Sequence, residues 1–149
     1  MKKIIYGLLI LFLIISCALE SKFSLPNDEK INTKLIGIWY NEKIPNESVI
    51  IKPYGEMKYK LILSDSTELI SYSKRIKGFN ILNIISDYKG KTINTFYGFV
   101  IKNKTLEFYE VNKGMRKIEF DSQAELIQFF NENVDKKEFF INPVKLTRK

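Results

Sequence analysis

From Leu35 onward, apolar and polar residues alternate in short stretches separated by turn residues. This is the pattern of half-buried β-strands. The clearest run is Met57-Lys58-Tyr59-Lys60-Leu61-Ile62-Leu63, with Met57, Tyr59, Leu61 and Leu63 on one face and Lys58 and Lys60 on the other. In the run from Ile93 to Ile101, Ile93, Tyr97, Phe99 and Ile101 share a face. Further strands are expected near Ile36–Glu42, Ser48–Pro53, Glu68–Ile76, Phe79–Ser86, Thr105–Val111 and Arg116–Phe120. Pro53-Tyr-Gly-Glu, Lys77-Gly78, Lys89-Gly90-Lys91, Asn103-Lys104 and Asn112-Lys113-Gly114 mark turns, because these residues pre-set a bend or tolerate positive φ. Strands spaced by roughly 8–12 residues predict an antiparallel meander, closed or nearly closed.

Two segments depart from the alternation. Asp121 to Val134 has a helical period, with Leu126, Ile127, Phe130 and Val134 on one side. Ser122 and Glu125 are spaced as a capping box, in which each side chain bonds the other's free backbone N–H. The helix should pack on the outside of the meander, with Phe130 buried and Phe129 partly exposed. A final extended piece runs from Phe139 to Arg148; Pro143 within it cannot donate to a ladder, so it reads as an edge or bulged strand.

The start of the chain has its own pattern. Met1-Lys2-Lys3 precedes an apolar or neutral run from Ile4 to Ile15. As a helix that run spans about 18 Å, short of the roughly 20 residues that cross a bilayer. It has the shape of a secretory signal. Residues 18–33 show no sustained period and read as a tether, from which Phe23 and Leu25 could dock on the domain. The expected organisation is a signal peptide over 1–16, an anchor and flexible tether over 17–33, and a β domain over 34–149.

Composition narrows the chemistry. The chain has no histidine and one cysteine, which excludes disulfide frameworks, Cys/His zinc sites and histidine-dependent catalytic triads. The net charge is +7, but its lysines are scattered among 17 acidic residues rather than clustered beside exposed aromatics. A nucleic-acid partner is therefore not expected. Glycine-rich phosphate loops and G-x-S-x-G or H-E-x-x-H motifs are absent. Of the paired carboxylates, Asp65 and Glu68 flank a turn, while Glu107 and Glu110 project to opposite faces of a strand. No catalytic residue, metal site or cofactor is expected, and the chain reads as a non-enzyme.

Ile14-Ile15-Ser16-Cys17 resembles a bacterial lipobox: branched aliphatics, a small residue, then the obligatory cysteine. The resemblance implies cleavage before Cys17, acylation of Cys17 and an essentially permanent lipid anchor. It places the domain in a bacterial cell envelope, at the outer membrane in preference to the inner. Leu35-Ile-Gly37-Ile-Trp39, heading a chain of about eight short strands, resembles the G-x-W start of a lipocalin or wider calycin barrel. That resemblance implies an up-and-down antiparallel barrel with one C-terminal helix and a final short strand. It also implies structural roles for Gly37 and Trp39, with Trp39 plugging the closed end and a basic residue of the last strand, Arg148, covering its ring. The second motif usual in lipocalins, near strands six and seven, is absent.

With 20 aromatics in the chain, most must be core. Tyr59, Leu61, Tyr72, Tyr97 and Phe99 fall at inward-type positions, where apolar surfaces and a few hydroxyls could line a cavity. Two functions follow. One is a membrane-anchored, lipocalin-like protein binding a small hydrophobic or amphipathic ligand. The other is a filled barrel whose exterior docks a host molecule or an envelope assembly; no sequence feature names that protein partner.

Overall fold

The computed structural model describes residues 18–115 and 119–149. Among them are nine strands: β1 (Leu19–Ser21), β2 (Gly37–Asn41), β3 (Ser48–Pro53), β4 (Tyr59–Leu63), β5 (Glu68–Ile76), β6 (Phe79–Tyr88), β7 (Lys91–Lys102), β8 (Thr105–Val111) and β9 (Phe140–Thr147). A helix, α1 (Gln123–Asn133), lies between β8 and β9. The fold is mainly β.

Strands β2 to β9 form a closed antiparallel barrel of eight, in which each strand pairs with the next and β9 returns to β2. Closure is staggered. Tyr40 and Asn41, at the far end of β2, meet Thr147 and Leu146 at the far end of β9. Tilted strands can close on themselves only with such an offset. The β5–β6 and β6–β7 hairpins turn on Lys77-Gly78 and Lys89-Gly90, with φ of 48° and 84°, and 50° and 74°. Positive φ at both positions gives a twist that matches the flanking strands.

Residues directly opposite each other in an antiparallel ladder share a face, so the register separates inside from outside. The inner face gathers Trp39, Ile51, Tyr59, Leu61, Leu82, Phe99, Leu106 and Leu146 into the barrel core. A second core lies outside the barrel wall. There Ile81 and Phe96 meet Leu126, Phe129 and Phe130 of α1, and the Phe96 and Phe130 ring centres are 5.5 Å apart. An isolated helix of this length is marginal in water, so this burial holds α1 in place. Phe140 also lies on the wall, so close to Gly98 that an added Cβ there would sit 2.4 Å from its ring.

Several sequence expectations change. The segment expected as a flexible tether is folded onto the barrel: β1 adds to β7, with Leu19 opposite Phe96 and Ser21 opposite Asn94, and Leu25 is buried. Its apolar residues cover the outer core, while buried asparagines satisfy its backbone, so no amphipathic period was needed. Phe129, expected partly exposed, is buried between Phe120, Phe130 and Phe139, whose ring centres lie 5.4–5.6 Å away. The rings of the outer core close over it from both flanks.

The capping box is shifted. Ser122 accepts the Glu125 N–H at 3.1 Å, but Glu125 reaches back to the Asp121 N–H at 2.6 Å, not to that of Ser122. The strand expected over Arg116–Phe120 does not form at Glu119 and Phe120, whose ring joins the outer core; its first three positions lie outside the described residues. β9 is bulged and internal rather than an edge. It pairs with β8 and β2, and its register slips where Asn142 takes φ 53° beside Pro143.

Candidate functional site

The two ends of the barrel differ. At one end, a 3₁₀ turn (Thr33–Leu35) enters β2 beneath Trp39, whose indole N–H donates to the Leu35 carbonyl at 2.8 Å. Arg148, just past β9, places its guanidinium carbon 4.2 Å from the centre of the Trp39 ring. Its nitrogens donate to the carbonyls of Lys34 at 2.8 Å and Ile36 at 3.3 Å. Gly37 has φ 146°, a conformation that side-chain-bearing residues rarely adopt. The Tyr59 hydroxyl accepts the Asn32 N–H at 2.5 Å and pairs with the Ser73 hydroxyl at 2.9 Å. This end is sealed by a hydrogen-bonded plug.

The other end is open. Inward residues next to the plug (Trp39, Ile51, Leu82, Phe99 and Leu106) are all fully or nearly fully buried. Further up the same inner face, Val49, Leu63, Leu69, Ile84, Phe108 and Val144 are only half-buried. The register makes them neighbours in pairs: Val49 faces Leu63, Leu69 faces Leu61, and Phe108 faces Val144. Water therefore reaches an apolar inner wall through one mouth of the barrel. A cup with an apolar lining and few polar groups is the usual form of a small-molecule site.

The polar groups in this cup are few. Ser71 sits on the inner face of β5, opposite Tyr59 and Ile84; it is fully buried and its hydroxyl has no partner. Thr95, opposite Ile84, is buried, and its hydroxyl makes only a long 3.5 Å bond to the Ile84 carbonyl. Nearer the mouth, Glu110 faces Tyr97 and Ile141, and one carboxylate oxygen accepts from the Asn142 side chain at 3.0 Å. Among the described residues, no inward position between plug and mouth carries Lys or Arg, and no group of three acidic or thiol side chains could hold a metal.

Of the residues expected to line a cavity, Leu61, Tyr97 and Phe99 are inward and buried. Tyr59 is inward too, but its hydroxyl is committed to the plug. Tyr72 is not in the cup at all. It lies opposite Asn83 on the outer face, where its hydroxyl donates to the Leu25 carbonyl at 2.6 Å. In Ser71-Tyr72-Ser73 the alternation is clear but its sign is not, and strand pairing turned the serines inward. Ser71 and Thr95 were missed for the same reason: small polar residues on an inner face resemble an exposed face in sequence. Cys17 lies outside the described residues.

The carboxylate pairs stay apart. Asp65 caps its own turn by accepting the Thr67 N–H at 2.9 Å, which holds its carboxyl below the usual range. Glu68 pairs with Lys60 at 3.2 Å. Glu107, on the outer face, accepts the Tyr109 hydroxyl, which raises the pKa of that phenol. Comparison with known proteins finds no matching family model, no similar curated protein and no similar solved structure.

Proposed function

We propose that this chain is a lipid-anchored, lipocalin-like envelope protein that holds a small hydrophobic or amphipathic molecule in its barrel. The observation that carries the reading is the set of half-buried aliphatics on the inner wall at the end away from the Trp39 plug. A filled structural barrel gains little from leaving Val49, Leu63, Leu69, Ile84 and Val144 half-buried, because incompletely covered apolar wall gives up part of the burial that drives folding. A ligand would restore it. The lipobox-like Ile14-Ile15-Ser16-Cys17 supports the anchor, which would put the cup beside a source of apolar molecules.

Native mass spectrometry of the full chain, released from membranes in mild detergent, tests the binding. A displaceable bound mass, together with displacement of a hydrophobic fluorophore by added lipid, is the expected result. An apo mass with no fluorophore enhancement would overturn it in favour of the protein-docking reading. The anchor is tested separately: Cys17→Ser should move the chain out of the detergent phase in Triton X-114 partitioning. Retention equal to the wild type would refute lipidation at Cys17.

A further inference from the structure

We infer that the cup selects a neutral polar head, held at the Ser71 hydroxyl, and rejects an anionic one; the inference rests on the binding reading above. Ser71 stands where the buried layer meets the half-buried wall, with Leu69 two residues toward the mouth and Ser73 two residues toward the plug. Its hydroxyl is fully enclosed and unpartnered. An enclosed hydroxyl without a partner destabilises the empty barrel. A chain entering through the mouth with a hydroxyl, ester or amide at its leading end, and displacing the side chains that enclose Ser71, would supply the missing hydrogen bond. The rest of such a molecule would lie against Leu69, Ile84 and Val144.

Charge sets the class of head. A carboxylate, sulfonate or phosphate at the Ser71 level would be desolvated with no Lys or Arg among the described inward positions between plug and mouth to offset it. Glu110, nearer the mouth, adds a like charge against any anionic head left there. A long-chain alcohol or ester meets neither penalty. The preferred class is thus a single-chain neutral amphiphile that enters head first.

The test uses the full chain in phosphatidylcholine vesicles and three long-chain diazirine probes of equal length, ending in an alcohol, a methyl group or a sulfonate. Labelling at Leu69 and Ile84 is mapped by mass spectrometry and normalised to outward-facing Ile38, which cancels differences in membrane partitioning. The alcohol should label the inner wall about tenfold more than the sulfonate, and Ser71→Ala should lower the alcohol signal by about fivefold without lowering the melting temperature. The comparison among probes needs no variant, so it stands even if Ser71→Ala misfolds. Equal labelling by alcohol and sulfonate, or an alcohol signal unchanged by Ser71→Ala, would overturn the polar subsite while leaving the cup as a binding site. Absence of inner-wall label from all three probes would overturn the binding reading as well.

Discussion

The guanidinium carbon of Arg148 lies 4.2 Å from the centre of the Trp39 ring, so the exit of the last barrel strand is fastened to the first. The β2–β9 ladder contains only two residue pairs, Tyr40 with Thr147 and Asn41 with Leu146. Closure therefore depends on side chains at the plug as well as on backbone pairing. The cation–π contact and the two carbonyl bonds of Arg148 act at this seam.

Trp39→Ala should cost about 3–5 kcal/mol, because it empties a fully enclosed site and removes the surface on which Arg148 rests. Arg148→Ala should cost about 2 kcal/mol through the lost stacking and carbonyl bonds. The two residues touch, so the double variant should lose less than the sum of the single ones. Urea unfolding of all three variants checks this; strict additivity would mean that the contact carries no energy.

A second seam holds the N-terminal segment. Asn83 accepts the Leu25 N–H at 3.0 Å and donates to Asn94 at 2.9 Å, and Asn94 donates to the Ser21 carbonyl at 3.4 Å. Asn83→Ala leaves a buried N–H and a buried amide oxygen unpaired, at a cost of about 2–3 kcal/mol. Hydrogen exchange at the Leu25 amide, and cleavage by trypsin after Lys22 or Lys30, should both accelerate. Unchanged protection of residues 19–31 would show that this network does not hold the segment.

Phe129→Asp and Phe130→Asp should both abolish folding. Phe129 and Phe130 face the same outer core, 7% and 0% exposed, and an unpaired carboxylate there meets only apolar rings. Near- and far-ultraviolet circular dichroism of the two variants decides the matter. A folded Phe129→Asp chain would mean that α1 rotates to free that position.

Burial pushes the Tyr72 phenol above its ordinary value, and its hydroxyl holds the Leu25 carbonyl. The folded state therefore keeps this proton longer than the unfolded chain does. The contribution is complete below about pH 10, where an unfolded tyrosine titrates, and is lost as pH rises through the higher folded value. Tyr72→Phe should lower stability by about 1 kcal/mol at pH 8 and flatten the decline in alkali. Denaturant midpoints from pH 8 to 11 for both chains check the sign; parallel curves would refute it.

Period-2 alternation and turn chemistry are local properties, and they sufficed for the strands from Ser48 to Val111, for the hairpins at Lys77-Gly78 and Lys89-Gly90, and for the helix after Ser122. They also sufficed for a mainly β, antiparallel and closed architecture, since strands joined by short turns have few other ways to bury one face. Three things required the tertiary structure. Whether Tyr72 or Ser71 faces inward depends on which residue each meets across the ladder, and alternation alone carries no such sign. The docking of residues 18–33 depends on Asn83 and Asn94, more than fifty residues away in the chain, offering hydrogen bonds to a backbone that has no pattern of its own. The open mouth above the Trp39 plug depends on how far each staggered strand rises round the ring, because the same aliphatic residue is core at one level and solvent-facing wall at the next.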